Sequence, residues 1–586
     1  MGWLNGLLFA LISVSLHGAG MDLRTTAEKS EWKKTGRYDE VIRLCKAYEK
    51  SYSKKVRCLK FGTTPEGRPM MGLVVGAPGF LNAEKVKKAE RPVVFFQGCI
   101  HAGESDGKDA GFLVLEKLLT DSTKGNLVDR LTVVFVPAFN IDGHERFGPH
   151  NRPNQCGPEE MGWRTTSQNL NLNRDYVKAD SPEMVAVLKL MREWDPIVFA
   201  DLHVTDGADF QHDIAVMVEP SLEGFAPLAS IGSALAERVM KDLKTAGHLP
   251  LPFYPSFVTE DDPTSGVEVG EALPRFSHGY WRVRNRLGVL VETHSWKEYA
   301  QRVRATENTL WSLLAATAED GARWVKAARK VDETARKAGG KELILSIKPT
   351  KQAKTIDFLG YEYKRVQSDV SGQLQTIYDP NKKAVWKIPL FDKPEADVVV
   401  RLPKAGYLVP ASVAALVSEK LRVHGITFEQ ITVSGDPIEA EVFRATKAEL
   451  SKKSFEGHTS LSLKGTWKTE KVVLPKGTLF VPVDQTASWL IGHLLEPTGP
   501  DSLAAWGFFN AHFEQKEYME PYVAEQVAQE LVKRDIASRD EFQKKLSADP
   551  EFAKSAEERL NFFYRKHPSW DDHFNRYPIF RVDKKL

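Results

Sequence analysis

The chain has 586 residues, which is too long for one compact domain and predicts about two to four domains. Hydrophobic residues make up 42% of the chain and charged residues 27%, as in ordinary globular proteins. The formal net charge is +2, from 80 basic and 78 acidic residues. This balance gives no electrostatic basis for binding nucleic acid or an anionic membrane, so we expect neither partner.

The N-terminus carries an apolar segment, WLNGLLFALISVSLHGAG, that ends in small residues. This pattern predicts a signal peptide over residues 1–20 and therefore a secreted or periplasmic protein. A buried or anchoring N-terminal helix is the alternative, because no Lys or Arg precedes the apolar run. No later stretch is long and apolar enough to cross a bilayer, so the mature chain is predicted to have no membrane span.

Helical and strand patterns alternate through the first half of the chain. Apolar spacing predicts helices at 38–52, 109–119 and 181–194, the last with Ser181 as its N-cap. Apolar or alternating runs predict strands at 54–62, 70–78, 93–96, 131–140, 196–204 and 286–295. The alternation predicts an α/β domain at 21–338, with a mixed, mainly parallel sheet sandwiched by helices.

The pattern changes after a long helical stretch from Arg304 to about Ala338. Strand-like runs separated by turns predict a β-rich accessory domain at 339–500, interrupted by one helix at 410–425. The last segment, 501–586, is helical in pattern and rich in aromatic residues. The sequence assigns no chemistry to residues 339–586.

The four cysteines are Cys45, Cys58, Cys99 and Cys156. None belongs to a CxxC pair, which argues against a thiolate zinc site. An exported protein can form disulfides, but four cysteines allow three pairings and the sequence does not choose among them.

Three apolar strands end on residues suited to metal or acid-base chemistry. The first leads to His101 and Glu104, the second through Asp201 to His203, and the third to Glu292. In open α/β sheets, ligands bind beyond the carboxyl ends of the strands, so residues distant in sequence meet there. Each residue also has an ordinary interpretation as a loop, capping or ion-paired side chain, but the strand-end placement occurs three times.

Two histidines and one carboxylate form the ligand set of catalytic zinc sites that leave a position open to water. We therefore predict one Zn²⁺ per chain, bound by His101, Glu104 and His203. Glu292 is then a candidate to take a proton from that water, because zinc lowers the pKa of water toward neutrality.

The segment MGWRTTSQNLNLNRDY lies between the two histidines. Its Arg164, Asn173 and Arg174 could hold a substrate carboxylate and polarise a carbonyl, because the guanidinium fork matches a carboxylate. A solvated loop with surface charge is the alternative for this segment taken alone.

These motifs in this order resemble the carboxypeptidase A-like zinc metallopeptidase family over roughly residues 35–330. NIDGHERF resembles the family's Asn-Pro-Asp-Gly stretch, with Ile141 in place of proline. FGTTPEGRPM is similar to the strand and turn that begin the family's domain. The second half looks like that of large bacterial members with a C-terminal extension.

The resemblance implies zinc ligands at His101, Glu104 and His203, and a general acid/base at Glu292. It implies that Asn173 and Arg174 grip the substrate's terminal carboxylate, and that Arg164 stabilises the oxyanion. It also suggests Tyr280 as the substrate-capping tyrosine, although Tyr280 is closer to Glu292 in sequence than the family leads us to expect. Asp175, where Asn is commoner, leaves the carboxylate clamp intact.

The sequence thus predicts a zinc carboxypeptidase that hydrolyses the C-terminal peptide bonds of peptides or proteins. One alternative is an amidase or endopeptidase acting on peptidoglycan peptides with the same fold. The other is a homologue that binds peptides without turning them over. The carboxylate clamp of Asn173 and Arg174 favours a free C-terminus as the substrate.

Overall fold

The computed structural model describes residues 21–120, 126–220, 227–270 and 272–585. The predicted signal peptide, residues 1–20, lies outside the described residues and stays a prediction. None of the helices in the described ranges combines the length and apolar character needed to cross a bilayer.

Within these ranges the helices, α1 to α15 in chain order, are Thr26–Lys29, Tyr38–Ser51, Ala83–Lys88, Asp106–Thr120, Ile141–Glu145, Pro182–Trp194, Leu228–Thr245, Ser277–Val283, Tyr299–Arg336, Ala411–Val423, Ser488–Leu495, Pro521–Arg534, Ile536–Ala548, Pro550–Lys554 and Ala556–Tyr564. The strands, β1 to β19, are Val56–Thr63, Pro69–Val75, Val93–Gly98, Thr132–Val136, Val198–Thr205, Ile214–Glu219, Pro250–Leu251, Val267–Glu268, Leu287–His294, Glu342–Pro349, Lys354–Gln367, Leu374–Phe391, Pro394–Arg401, Gly406–Val409, Glu429–Gln430, Ile438–Leu450, Leu461–Val472, Leu479–Pro482 and Phe580–Val582.

An eight-stranded sheet organises the first half of the chain, in the order β1-β2-β4-β3-β5-β9-β6-β7. Its centre, β4-β3-β5-β9, is parallel, whereas β1, β2 and β6 join it through antiparallel pairings. All residues of these four central strands are buried, which explains their nearly continuous apolar sequences. Helices α4 and α7 both pack against α9, and α2 and α6 contact β1. The predicted mixed, mainly parallel α/β class is confirmed.

The sequence signals for individual elements agree with the structure in several places. Ser181 caps α6 by accepting a hydrogen bond from Met184 N, with Pro182 at the first helical position. The predicted helix at 410–425 is α10. The long helix α9 ends at Arg336, two residues before the predicted end of the first domain, although the domain limits themselves stay a prediction.

The second half is β-rich, as expected, and ends in helices. A six-stranded sheet runs β15-β18-β14-β19-β16-β17, and the final strand β19 returns to it from beyond the helical segment α12–α15. That return was not predicted, because only three residues, Phe580–Val582, form the strand. The long hairpin of β11 and β12 extends the first domain instead, since β12 pairs in parallel with β8.

One disulfide is present, between Cys45 of α2 and Cys58 of β1, whose Cα atoms are 5.3 Å apart. Cys99 and Cys156 are free thiols. Disulfides are characteristic of oxidising compartments, and the predicted export stays a prediction.

Candidate metal centre and substrate cleft

The sheet brings the predicted strand-end residues together at the carboxyl edge of its parallel strands. His101 and Glu104 lie in the loop between β3 and α4, next to the end of β5, because Gly98 pairs with Leu202. His203 and Glu292 are direct neighbours across β5 and β9. All four side chains are buried.

The carboxylate of Glu104 lies between the two imidazoles. His101 Nδ1 is 3.0 Å from Glu104 Oε1, and His203 Nδ1 is 3.0 Å from Glu104 Oε2. One potential ligand atom from each residue lies within 4.8 Å of the others. The remaining ring nitrogens are occupied, since His101 Nε2 is 3.1 Å from Asn171 Oδ1 and His203 Nε2 is 2.8 Å from Asp201 Oδ2. These outer contacts orient both Nδ1 atoms toward one point, as the hydrogen-bond partners of metal-binding histidines do.

The pKa shifts of His101 and Glu104 favour the forms that bind a cation. Burial lowers the pKa of His101 to about 4, so its imidazole is neutral at pH 7. Burial would raise the pKa of Glu104, but the neighbouring His101 and Arg152 side chains hold it well below its ordinary value. Neutral imidazole and ionised carboxylate are the forms that bind zinc. Burial would lower the pKa of His203, but the charges of Asp201 and Glu292 raise it well above its ordinary value, so His203 would lose a proton when a cation binds. The donor set therefore fits one Zn²⁺.

Glu292 is not a member of this three-residue group but faces the same edge from β9. Burial raises the pKa of its carboxyl to about 8, although the charge of His203 opposes this rise. The charges of Glu104 and Asp201 raise it further. A carboxyl group with such a pKa can hold or release a proton near neutral pH.

The segment after the first histidine brings its arginines to the same cleft. Arg164 Nη1 is 3.6 Å from Glu104 Oε1, and its side chain is 41% exposed. Asn173 lies in a short turn and accepts a hydrogen bond from Ser277 N at 3.1 Å. The Arg174 guanidinium packs over the Phe276 ring, 4.5 Å from its centroid, and donates to Asn173 O at 2.8 Å. Neither Arg164 nor Arg174 has a salt bridge to a carboxylate other than Glu104 among the described residues.

Residues 41–212 match the sequence model of the zinc carboxypeptidase family. Over these residues the chain is similar to the zinc carboxypeptidase family. The predicted resemblance is thereby confirmed. The matched range contains His101, Glu104, Arg164, the Asn173–Arg174 pair and His203, whereas Glu292 lies beyond it.

Solved metallo-carboxypeptidases are similar to the chain at low identity. The protein from Burkholderia cenocepacia is 18% identical with a TM-score of 0.36, over 48% of this chain and 69% of that one. The protein from Pseudomonas aeruginosa, in complex with (2-guanidinoethylmercapto)succinic acid, is also 18% identical with a TM-score of 0.36. The match covers 48% of this chain and 69% of that one. Carboxypeptidase A from Helicoverpa armigera is 16% identical with a TM-score of 0.36, over 51% of this chain and 75% of that one.

The structure does not bring Tyr280 to the candidate metal centre. Its side chain is 2% exposed within α8, and its hydroxyl lies 2.9 Å from Nδ1 of His424, at the end of α10. Its ring packs against Tyr176 and Trp281. Tyr280 therefore joins the first domain to the second half of the chain, and its assignment as the substrate-capping tyrosine is replaced.

Tyr254 is the tyrosine that lies beside the cleft. It belongs to the loop between β7 and β8, is 38% exposed, and its hydroxyl accepts a hydrogen bond from Thr205 Oγ1 at 2.9 Å. Thr205 follows His203 by two residues on β5. Burial raises the pKa of Tyr254, and the charge of Glu292 adds to the rise. The sequence analysis missed it, because no motif marks the loop.

Arg152 is a second residue that the sequence analysis missed. Its Nη2 lies 3.0 Å from Glu104 Oε1 and donates to Val204 O at 3.3 Å. Its Nε donates to Gln155 Oε1. Arg152 thus connects the candidate ligand Glu104 to β5. No local spacing in the sequence indicates these contacts.

Proposed function

We propose that the protein is a zinc-dependent carboxypeptidase that releases C-terminal residues from peptides or proteins. The observation that carries this proposal is the convergence of His101 Nδ1, His203 Nδ1 and the Glu104 carboxylate at one buried point beside Glu292. The imidazoles and the carboxylate are within hydrogen-bond distance of one another, and two imidazoles and a carboxylate directed at one point also form the donor set of catalytic zinc sites.

In this proposal His101, Glu104 and His203 hold one Zn²⁺ per chain. When bound, zinc polarises a water molecule and a substrate carbonyl, which supplies the nucleophile at neutral pH. Asp201 and Asn171 keep the two rings in the orientation that presents Nδ1.

Glu292 is the proposed general acid/base. Its carboxylate accepts a proton from the attacking water and returns a proton to the amine that leaves. Its position across the strand pair from His203 supports this role.

The chain's own cations recognise the substrate. Arg174 and Asn173 are proposed to bind the terminal carboxylate, because a guanidinium forms charge-assisted, bidentate contacts with carboxylates. Arg164 is proposed to stabilise negative charge on the scissile carbonyl oxygen, which its partial exposure near Glu104 supports. Tyr254 is proposed to close over the bound peptide from its loop.

The choice between a free C-terminus and an internal bond can be tested with one pair of peptides. Amidating the C-terminus removes the charge that Arg174 is proposed to meet. This should cost about 2–4 kcal/mol, by analogy with removing one partner of a charged pair, or roughly thirtyfold or more in kcat/KM. Comparing cleavage rates of the free-acid and amidated peptides measures this preference.

A matched pair of variants completes the test. Arg174→Ala should shrink the preference for the free acid, whereas Arg323→Ala, an exposed arginine on α9, should leave it unchanged. If the wild-type protein cleaves acid and amide equally well, the carboxylate clamp is wrong and an endopeptidase or amidase activity takes its place.

A further inference from the structure

A polar cavity lies at the amino-terminal ends of the parallel strands β5 and β9, opposite the candidate metal centre. Its volume is ≈ 260 Å³, and it opens beside Asp195, just before β5, and Arg286, just before β9. Gly425 and Thr486, from the second half of the chain, contribute to its wall. The cavity is therefore built by both halves of the molecule and is separate from the proposed peptidase site.

The walls of this cavity carry a clear excess of positive charge. Two carboxylates, Asp195 and Asp332, face five cations, which are Lys87, Arg192, Arg284, Arg286 and Arg329. The carboxylates are already shared by two of these cations. Arg286 lies 2.9 Å from Asp195 and 3.0 Å from Asp332, and Arg329 lies 3.2 Å and 3.4 Å from the same two residues.

The other three cations have no carboxylate within salt-bridge distance among the described residues. Lys87 Nζ donates to Arg192 O at 2.9 Å, and Arg284 Nη1 donates to His424 O at 3.1 Å. These carbonyls satisfy one N–H each but leave the charges uncompensated. Holding cations together at a partly buried site costs free energy unless an anion accompanies them.

Buried donors without partners line the same cavity. Arg192 Nε and Trp281 Nε1 are both inaccessible to solvent and have no hydrogen-bond partner within the described part of the chain. Burial lowers the pKa of Arg192, and the charge of Arg284 lowers it further. Because solvent does not reach these two nitrogens, an anion in the cavity would meet the charged ends of the wall residues and not these donors.

We propose that this cavity binds a free, multiply charged oxyanion of the phosphate class. Arginine forks match the oxygen geometry of phosphate, and three uncompensated positive charges match its negative charge. A structural role in capping helix ends explains the carbonyl contacts but not the clustering of charge. Because both halves of the chain line the cavity, the anion would also stabilise their junction.

The test is a calorimetric titration of the full-length protein with inorganic phosphate at constant ionic strength, balanced with chloride. We expect saturable binding by the wild type. Arg192→Met should weaken the affinity at least tenfold, and Lys87→Met, at an exposed position that folding tolerates, should weaken it several-fold. Arg323→Met, an exposed arginine paired with Asp320, is the control and should bind like the wild type.

Peptidase activity separates this cavity from the zinc centre. Phosphate bound in the cavity should leave cleavage of a test peptide unchanged, and Lys87→Met should have normal activity. Two results would overturn the proposal: no saturable binding by the wild type, or wild-type affinity in both folded variants. Binding that inhibits the peptidase and survives both substitutions would place the anion at the zinc centre instead.

Discussion

Two buried charged clusters, one in each half of the molecule, are assembled in opposite ways. In the second half, Glu496 accepts hydrogen bonds from Tyr407 at 2.6 Å and from Arg581 Nε at 2.9 Å, and the guanidinium stacks on Trp467. Every acceptor there meets a donor. In the first half, His101, Glu104 and His203 present nitrogens and carboxylate oxygens to one another.

The two arrangements suit different roles, one structural and the other ligand-binding. A closed network, in which each charge has its partner, restrains the fold and leaves nothing for a ligand to bind. A cluster whose ligand-type atoms converge is stabilised most by a cation that all of them share. The comparison therefore predicts that variants in the two clusters fail in different ways.

The largest expected effect is on turnover, at Glu292. Glu292→Gln keeps the shape of the side chain but removes the proton acceptor, so kcat should fall by about 10²–10⁴. Zinc content and thermal stability should stay near the wild-type values. Steady-state kinetics on a free-acid peptide measures the change.

A matched control for this prediction is Glu183→Gln. Glu183 is another buried carboxyl group, in α6, with no hydrogen-bond partner for either oxygen among the described residues. It lies away from the metal centre in our account, so its amide variant should keep the wild-type kcat. Equal losses in the two variants would mean that burying a carboxyl group, not its position beside His203, sets the rate.

A variant of the cluster around Glu496 should lose stability and keep its activity. Arg581→Met leaves the Glu496 carboxylate buried without its charged partner, which should cost about 3–5 kcal/mol of unfolding free energy. Denaturant unfolding followed by fluorescence measures the loss. The folded fraction should still bind zinc and cleave peptide normally, and a selective loss of turnover at unchanged stability would contradict the comparison.

A smaller effect is expected from the tyrosine that closes the cleft. Tyr254→Phe removes one hydroxyl that contacts bound peptide in our account, so kcat/KM should fall by about two- to tenfold. Tyr280→Phe is the matched control, because it loses only the contact to His424 and should keep wild-type kinetics. The opposite ranking of the two variants would restore Tyr280 as the capping residue.

The two tyrosines also show how far the sequence predicts the site. His101, His203 and Glu292 were predictable, because a buried parallel strand has a readable apolar pattern and its carboxyl end has a known location. Tyr254 was not, since its loop is held by the pairing of β8 with β12, more than a hundred residues away in sequence. The family resemblance suggested Tyr280, although it lies closer to Glu292 in sequence than expected, and α8 buries that side chain in the core.

The same limit applies to the second half of the chain. Its strands and the helix α10 follow from local patterns, so they were predicted. The return of β19 to the sheet and the basic cavity depend on contacts between distant segments. Such contacts are decided by packing, and single-sequence patterns do not encode them.

The most direct test of the central claim is the zinc content of the purified protein, measured by elemental analysis. The account predicts about one zinc per wild-type chain, and about one in Glu292→Gln and in folded Arg581→Met. His101→Ala and His203→Ala should each lose most of the metal. Full zinc occupancy in both histidine variants would contradict the assignment of His101, Glu104 and His203 as the metal ligands.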